Sequence, residues 1–207
     1  MSLIPKRGCV YVVDDDEAVR DSVQWLLEGH NLRVRCFESA EDFLDRHDPR
    51  EVACMLVDIR MDGMSGLDLQ DRLIERGSPL PIAFITGHGE VPMAVATMKK
   101  GAFDFIQKPF HEEQLVPLVE RMLERASASF AERQQSANLR SRLNKLTRRE
   151  SQVLDLIIAG RLSKQIADDL GIHLKTIEAH RSKIMIKLGA NTLADLVRIV
   201  LGQNGAK

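Results

Sequence analysis

Short apolar runs alternate with amphipathic stretches along the first 125 residues. Runs of this length are typical of strands, and the nearly continuous apolar ones are typical of strands buried on both faces of a parallel sheet. Four apolar runs lie at 9–13, 55–58, 82–85 and 103–106, and the stretch 33–37 alternates polar and apolar residues, which also predicts a strand. The stretches that follow them have helical periodicity. Five strand–helix units in succession predict an α/β domain with a doubly wound, five-stranded parallel sheet and helices on both faces.

The composition changes after residue 125. Residues 126–145 are rich in Ser, Ala, Gln and Arg and contain neither Pro nor Gly. We expect this segment to be a polar helical extension of the preceding helix, with 136–138 as the position of a break. The chain is therefore predicted to consist of one domain at 1–125, a helical linker at 126–145 and a second domain at 146–207.

The last 60 residues have helical periodicity and no strand signal. Thr147 and Glu150 have the spacing of a capping box. Two further positions, Ser163 and Thr192, are predicted to cap helices at their N-termini, as are Ser39 and Ser65 in the first domain. Helices are predicted to end at Gly160, Gly171 and Gly189. These signals predict a small all-α second domain.

The net charge of −1 conceals an asymmetry. Residues 1–125 carry a balance of −8, residues 126–145 carry +3, and residues 146–207 carry +4. An acidic first domain and a basic second one indicate different partners, and nucleic acid is a candidate partner for the second. Because many solvated surfaces are equally basic, the charge favours this candidate without establishing it.

Composition also bears on the compartment. Cys9, Cys36 and Cys54 are odd in number, and no pair of them has metal-ligand spacing, which predicts free thiols in a reducing cytosol. No apolar stretch approaches the roughly 20 residues of a membrane span. The apolar run after Lys6 and Arg7 is too short for a signal peptide. We therefore expect a cytoplasmic protein that does not act at a membrane.

Polar side chains follow four of the predicted strands: Asp14 and Asp15, then Asp58, Thr86 and Lys108. The carboxyl ends of parallel strands share one edge of the sheet, so these side chains are expected to meet there. Clustered carboxylates repel one another unless a cation joins them, and an all-oxygen set suits Mg²⁺ or Mn²⁺. Lys108 and Thr86 could then hold a phosphoryl group on Asp58. The alternative, that the acidic residues only cap helices, does not explain the whole set.

The motifs at 12–16, 56–61, 84–87 and 108–110 resemble the four motifs of a two-component receiver domain, which has the CheY-like fold. The resemblance covers about residues 8–125. It implies that Asp58 accepts a phosphoryl group from a sensor histidine kinase. It also implies that Asp15 binds Mg²⁺ directly, Asp14 through water, and Arg60 through its backbone carbonyl.

The same resemblance implies that Thr86 and Lys108 bind the phosphoryl oxygens. Phe105 stands at the family's switch position, where an aromatic ring turns inward when the Thr86 hydroxyl moves to the phosphate. From the pattern alone, Phe105 is a core residue of a strand, and both roles are compatible. A receiver is not an enzyme in the ordinary sense, although it supports its own Mg²⁺-dependent phosphotransfer and dephosphorylation.

The chain departs from the family pattern at Asp62, where proline is usual. Loss of the proline frees the backbone after Asp58 and adds a carboxylate near the metal, so the lifetime of the acyl phosphate or the metal affinity should differ. Haloacid dehalogenase-like phosphatases also use an aspartate nucleophile. They need a second Asp two positions later, however, and Arg60 stands there.

In the second domain, the helix 163–170, a glycine turn and the helix 175–188 form a helix-turn-helix pattern. On the second helix, Ile177, His180, Ile184 and Leu188 are expected to face inward. The outward positions are Lys175, Glu178, Ala179, Ser182, Lys183 and Ile186. Small outward side chains would let this helix approach base edges. The alternative is a helical bundle that binds protein, and steeply salt-dependent binding to duplex DNA would distinguish the two.

The segments 146–154, 164–167, 170–172, 176–181 and 187–188 resemble a LuxR/NarL-type DNA-binding domain. This resemblance implies that Glu178, Ala179 and Ser182 face bases. The implied phosphate contacts are Lys164, Lys175, Thr176, Arg181, Lys183 and Lys187. The last helix, through Leu196 and Val200, is implied to form a dimer surface.

The whole arrangement, including the stretch 86–95, is similar to the FixJ-like response regulators. This similarity implies that phosphorylation of Asp58 promotes a homodimer through the helix after Thr86 and the strand with Phe105. The dimer would then place the second helix of each helix-turn-helix on a two-fold site of double-stranded DNA. Bound there, it would regulate transcription together with RNA polymerase. Activation is the expected direction. The sequence leaves the kinase, the stimulus and the operator open.

Overall fold

A computed structural model of the chain describes residues 8–87 and 91–201, and it does not describe the side chains of residues 91–94. Five strands form one parallel sheet, as predicted, and their order in the sheet is β2-β1-β3-β4-β5. The strands are β1 Cys9–Val13, β2 Arg33–Phe37, β3 Ala53–Asp58, β4 Ile82–Thr86 and β5 Asp104–Gln107. The prediction placed β5 one residue early. Phe103 donates its N–H to the Ile82 carbonyl at 2.7 Å, but the paired register begins at Asp104.

Among the described residues, five helices accompany the sheet: α1 Glu17–Gly29, α2 Ala40–Arg46, α3 Gly66–Glu75, α4 Val91–Lys99 and α5 Glu112–Leu143. The predicted caps at Ser39 and Ser65 are confirmed. Each serine hydroxyl accepts the backbone N–H three residues later, at 3.1 and 3.2 Å. These caps set the residues at which α2 and α3 begin.

Strands β1, β3 and β4 bury side chains on both faces of the sheet, which explains their apolar sequences, whereas the edge strands β2 and β5 are only partly buried. Val10, Val12 and Leu56 pack in one core with residues of α1 and α5. Their sequence neighbours, such as Tyr11 and Met55, pack in a second core with residues of α2 and α3. Two layers of helices thus fix the sheet, and its carboxyl edge carries the polar residues.

Gly66 is the position where α3 starts against the end of β3. A Cβ atom there would lie 2.1 Å from the Asp58 carbonyl oxygen, and the Gly66 N–H donates to the Ile59 carbonyl at 3.0 Å. Only a residue without a side chain permits this approach. Gly66 therefore holds the backbone of Asp58 close to α3.

Helix α5 is continuous from Glu112 to Leu143, so the break considered at 136–138 is not found. That segment contains no Gly or Pro to interrupt the helix, and the following Leu139 is anchored in an apolar core. By compactness the chain divides into units Met1–Ala131 and Glu132–Lys207. The domain limits at 125 and 146 remain predictions.

The described part of the second unit contains four further helices: α6 Arg148–Ile158, α7 Ser163–Leu170, α8 Leu174–Leu188 and α9 Leu193–Leu201. Gly171 and Gly189 end α7 and α8 in the left-handed conformation, with φ values of 62° and 68°. The predicted cap at Ser163 is wrong. Leu162 takes the N-cap position, because its backbone N–H donates to the Gln165 side chain at 2.9 Å and Ser163 already lies in the helix.

Leu196 was assigned to a dimer surface, but it is only 1% exposed and belongs to the core of the second unit. All three cysteines are free; Cys9 and Cys54 are buried and Cys36 is half-buried. Within residues 8–87 and 91–201, no helix is both long and apolar enough to span a membrane.

Candidate functional site

The ends of the strands bring Asp14, Asp58 and Lys108 together. Asp14 follows β1 and is fully buried, Asp58 ends β3, and Lys108 follows β5. The Lys108 ammonium lies 2.9 Å from Asp14 Oδ2 and 2.5 Å from Asp58 Oδ2. One cation is therefore shared by two carboxylates at the carboxyl edge of the sheet.

Backbone groups orient each partner in this cluster. Asp58 Oδ1 accepts the Arg60 N–H at 3.1 Å, and Asp14 Oδ1 accepts the Asp16 N–H at 2.9 Å. The Lys108 N–H donates to the Thr86 carbonyl at 2.8 Å, which ties the segment after β5 to the end of β4. Local turns thus present both carboxylates to the ammonium.

Burial and charge oppose each other at this site. Burial raises the pKa of Asp14, although hydrogen bonds from Lys108 and from the Asp16 N–H offset part of that rise. Burial alone would lower the pKa of Lys108, but hydrogen bonds to Asp58 and Asp14 outweigh it and raise the pKa above its ordinary value. The ammonium is therefore fully charged at neutral pH.

Asp15 and Arg60 stand at the exposed side of the cluster. Asp15 Oδ2 accepts the backbone N–H of Asp62 at 3.0 Å, a bond that proline at position 62 could not donate. In the part of the chain that the structure describes, no three His, Cys, Asp or Glu side chains have the arrangement of a metal site. The donor chemistry nevertheless fits Mg²⁺, which takes one or two carboxylates and keeps several waters.

Thr86 and Phe105 lie on the neighbouring strands β4 and β5. The Thr86 side chain is fully buried, and its hydroxyl donates to the Ile106 carbonyl at 3.5 Å. Phe105 is half-buried against the core that contains α2 and α3. Of the predicted stretch 86–95, residues 88–90 and the side chains of 91–94 lie outside the described residues.

The predicted DNA-binding surface lies on α7 and α8. Its exposed members are Lys164, Lys175, Thr176, Glu178, Ala179, Ser182 and Lys183, whereas Arg181 is half-buried. Ile177, Ile184 and Leu188 are buried on the opposite face, as the pattern predicted, and Ile186 is 77% exposed. His180 is half-buried. The structure therefore presents a polar, partly basic face of α8 to solvent.

Lys187 differs from the other predicted phosphate contacts. It is half-buried, and its ammonium donates to Glu150 Oε2 at 2.6 Å and to the Lys145 carbonyl at 3.0 Å. Glu150 is only 3% exposed, and hydrogen bonds from Lys187 and from the Thr147 N–H lower its pKa to about 2. The structure thus shows Lys187 as the partner of a buried carboxylate, and its contact with phosphate stays a prediction.

This pair was missed because the sequence showed only half of it. Glu150 was recognised by its local spacing from Thr147 in a capping box, which the structure confirms. Its cation stands 37 residues away on another helix. A buried carboxylate needs a charged partner, but no local pattern names that partner.

Comparison with known proteins finds a family match for each of the two parts of the chain. Residues 10–120 match the model of the response regulator receiver domain. Residues 144–200 match the model of the bacterial regulatory proteins of the luxR family. The two matches lie on either side of the C-terminal part of α5.

Individual relatives resemble the chain over nearly its full length. The transcriptional regulatory protein TdiR of Thauera aromatica is 43% identical over 93% of this chain and 85% of TdiR. The transcriptional regulatory protein FixJ of Bradyrhizobium diazoefficiens is 38% identical over 94% of this chain and 95% of FixJ. The solved structure of the response regulator StyR has a TM-score of 0.88 at 41% identity, and the match covers 95% of this chain and 99% of StyR.

Proposed function

The chain belongs to the two-component response regulators that carry a receiver domain and a LuxR-type DNA-binding domain, and on that premise we propose that phosphorylation of Asp58 switches it as a transcription factor. Members of this family are transcription factors and not classical enzymes. The partners are a sensor histidine kinase, which supplies the phosphoryl group, and double-stranded DNA.

The observation that carries this proposal is the Lys108 ammonium 2.5 Å from the Asp58 carboxylate. In the proposed reaction, an Asp58 oxygen attacks the phosphorus, the bond from phosphorus to the kinase histidine breaks, and an acyl phosphate forms. Lys108 would pass from the carboxylates to a phosphoryl oxygen, where its charge stabilises the added negative charge. Thr86 would turn its hydroxyl from Ile106 to another phosphoryl oxygen.

Receiver domains of this family generally bind Mg²⁺ at the phosphorylation site. Here the ion, or Mn²⁺, would be held by Asp14, Asp15, Asp58 and the Arg60 carbonyl, and it would neutralise charge on the transferred group. The Arg60 N–H already orients Asp58, and the Asp62 N–H orients Asp15. These contacts support metal binding at the exposed side of the cluster.

The output of the switch is proposed to be a homodimer on DNA in the cytoplasm. Movement of Thr86 would let Phe105 turn inward and change the surface formed by α4 and β5. Glu178, Ala179 and Ser182 would then face bases, with Lys164, Lys175, Thr176, Arg181 and Lys183 at phosphates. The names of TdiR and FixJ as transcriptional regulatory proteins support this output, and we propose activation through RNA polymerase.

The first test uses the full chain with Mg²⁺ and acetyl phosphate. Intact-mass measurement should find one phosphoryl group on the wild type and none on Asp58→Asn. Asp21→Asn, which removes an exposed carboxylate of α1, serves as the control and should behave as the wild type. Sizing of the same samples should give a dimer only where the phosphoryl group is present. Equal phosphorylation of Asp58→Asn and wild type would refute the assignment of the acceptor.

The DNA half of the proposal is tested separately. The phosphorylated protein should bind a duplex selected by it from a randomised pool, with an affinity that falls steeply as salt rises. Lys183→Ala should reduce the slope of log Kd against log salt by about one, because one phosphate contact is lost. Binding that does not depend on salt would favour a protein-binding output.

A further inference from the structure

The end of α5 contacts the C-terminal end of α8. Arg142, in the last turn of α5, donates from Nη1 to the carbonyl of Leu188 at 2.9 Å. Leu188 is the last residue of α8, and Gly189 follows it in the left-handed conformation. The guanidinium packs so closely that a Cβ atom at Gly189 would lie 3.0 Å from Arg142 Nη1.

This contact caps the C-terminal end of α8. The last carbonyls of an α-helix have no partner within the helix, and the C-terminal end carries a partial negative charge. At the end of α8, the Gly189 N–H reaches the carbonyls of Ile186 and Met185, and Arg142 supplies the donor for Leu188. A cationic donor is favourable at this position both as a hydrogen-bond partner and as a charge.

A second contact ties the same two segments together. Lys187 of α8 donates to the carbonyl of Lys145, just after α5, and to the buried Glu150 of α6. Beneath these polar contacts, Leu139 of α5 is buried with Leu188 in the core of the second unit. The end of α5, the start of α6 and the end of α8 therefore meet in one cluster.

Arg140 provides an internal comparison. It lies two residues before Arg142 on the same helix and carries the same charge, but it is exposed and lines an open groove with Glu132, Ser136 and Asn144. Charge alone therefore does not distinguish Arg142. Its distinction is the half-buried contact with the end of α8.

We propose that Arg142 is a positioning residue for DNA recognition. By capping Leu188 it fixes the end of α8 to α5 and sets the angle at which the exposed face of α8 meets DNA. The inference rests on the proposed DNA-binding function and extends it to a residue of the predicted linker. The last turn of the linker helix then works as part of the DNA-binding unit.

The test measures DNA affinity in the full chain with Mg²⁺ and beryllofluoride, which stands in for the phosphoryl group on Asp58. The probe is a duplex selected by the wild type from a randomised pool, and fluorescence anisotropy is recorded over a salt series. Arg142→Ala should raise Kd about tenfold, because binding would then have to order the end of α8 without the charged hydrogen bond that holds it in the wild type. The slope of log Kd against log salt should stay that of the wild type, because Arg142 does not touch phosphate.

Three variants accompany Arg142→Ala. Arg142→Lys keeps a cationic donor and should restore most of the affinity. Arg142→Gln keeps length and a neutral donor and should lie between the two, and it replaces the alanine variant if that one does not fold by circular dichroism. Arg140→Ala should bind as the wild type.

The alternatives give different results. A slope smaller by about one in Arg142→Ala would identify a direct phosphate contact and overturn the proposal. An unchanged Kd with a lower melting temperature would mean a purely structural role and would overturn it as well. Failure of the wild type itself to bind the duplex would instead contradict the proposed function.

Discussion

Gly66 offers a way to displace the candidate phosphoacceptor without touching its chemistry. In Gly66→Ala, the new methyl group would meet the Asp58 carbonyl oxygen at 2.1 Å, whereas Cβ contacts shorter than 3.0 Å essentially never occur. The backbone of Asp58 or the start of α3 must therefore move by at least 0.9 Å, the difference between those distances.

A shift of this size changes reactivity more than stability. A misplacement of about 1 Å at a reacting group costs on the order of 10²-fold in rate. We expect phosphorylation of Asp58 by acetyl phosphate to slow by about 10- to 100-fold in Gly66→Ala. Overpacking costs about 1–3 kcal/mol, and alanine recovers up to about 1 kcal/mol in a helix, so the free energy of unfolding should fall by only about 0–2 kcal/mol.

Gly29→Ala is the matched control. Gly29 is the last residue of α1, and a Cβ atom there would meet nothing within 4 Å. This variant should be phosphorylated at the wild-type rate and should be slightly more stable. The assay follows the phosphorylated fraction by intact mass over time, with urea unfolding measured on the same samples.

The reasoning fails if Gly66→Ala is phosphorylated as fast as Gly29→Ala while its circular dichroism is that of the wild type. That result would mean that α3 can move away from β3 without disturbing the Asp58 carboxylate. The contact between Gly66 and Asp58 would then be a packing feature alone.

Two further substitutions test other contacts. Lys187→Met leaves Glu150 buried without its cation and should lower the free energy of unfolding of the second unit by about 3 kcal/mol at pH 7. Because folding lowers the pKa of Glu150 from 4.5 to about 2, this advantage of the wild type is complete above pH 4.5 and is lost as the pH falls toward 2. Hydrogen exchange in α6 and α8 at pH 7 and pH 3 measures the difference in stability between the wild type and Lys187→Met. An equal difference at both pH values would exclude the ion pair as its cause. Asp62→Pro removes the N–H that holds Asp15 and should weaken Mg²⁺ binding several-fold by calorimetry, whereas Asp62→Asn keeps that N–H and should bind nearly as the wild type. Equal losses in both variants would assign the effect to the charge of Asp62.

Local patterns were enough for most of the fold. Apolar runs identified four strands, and the alternation of polar and apolar residues at 33–37 identified β2, which lies at an edge of the sheet and is only partly buried. Side chains suited to an N-cap predicted the caps at Ser39, Ser65 and Thr147, and hydrogen bonds between residues three apart confirm them. The error at Ser163 arose because a neighbouring Gln side chain takes over the cap and shifts the helix start by one residue.

The convergence of the candidate site could also be predicted, because the carboxyl ends of parallel strands share one edge and Asp14, Asp58 and Lys108 all stand at such ends. The partner of each side chain could not be predicted in the same way. The Thr86 hydroxyl bonds to Ile106, and Asp15 accepts the N–H of Asp62, contacts that depend on how loops and strands lie beside one another.

The sequence by itself determined the strands, most of the helix ends and the set of polar residues at the sheet edge. These features depend on burial and on hydrogen bonds between residues that are close along the chain. Only the tertiary structure decided that Lys187 serves Glu150, 37 residues away, and that Arg142 caps Leu188, 46 residues away. Leu196 likewise faces the core and not solvent. On an amphipathic helix the pattern gives a face, but the partner of that face comes from distant segments whose packing no local pattern specifies.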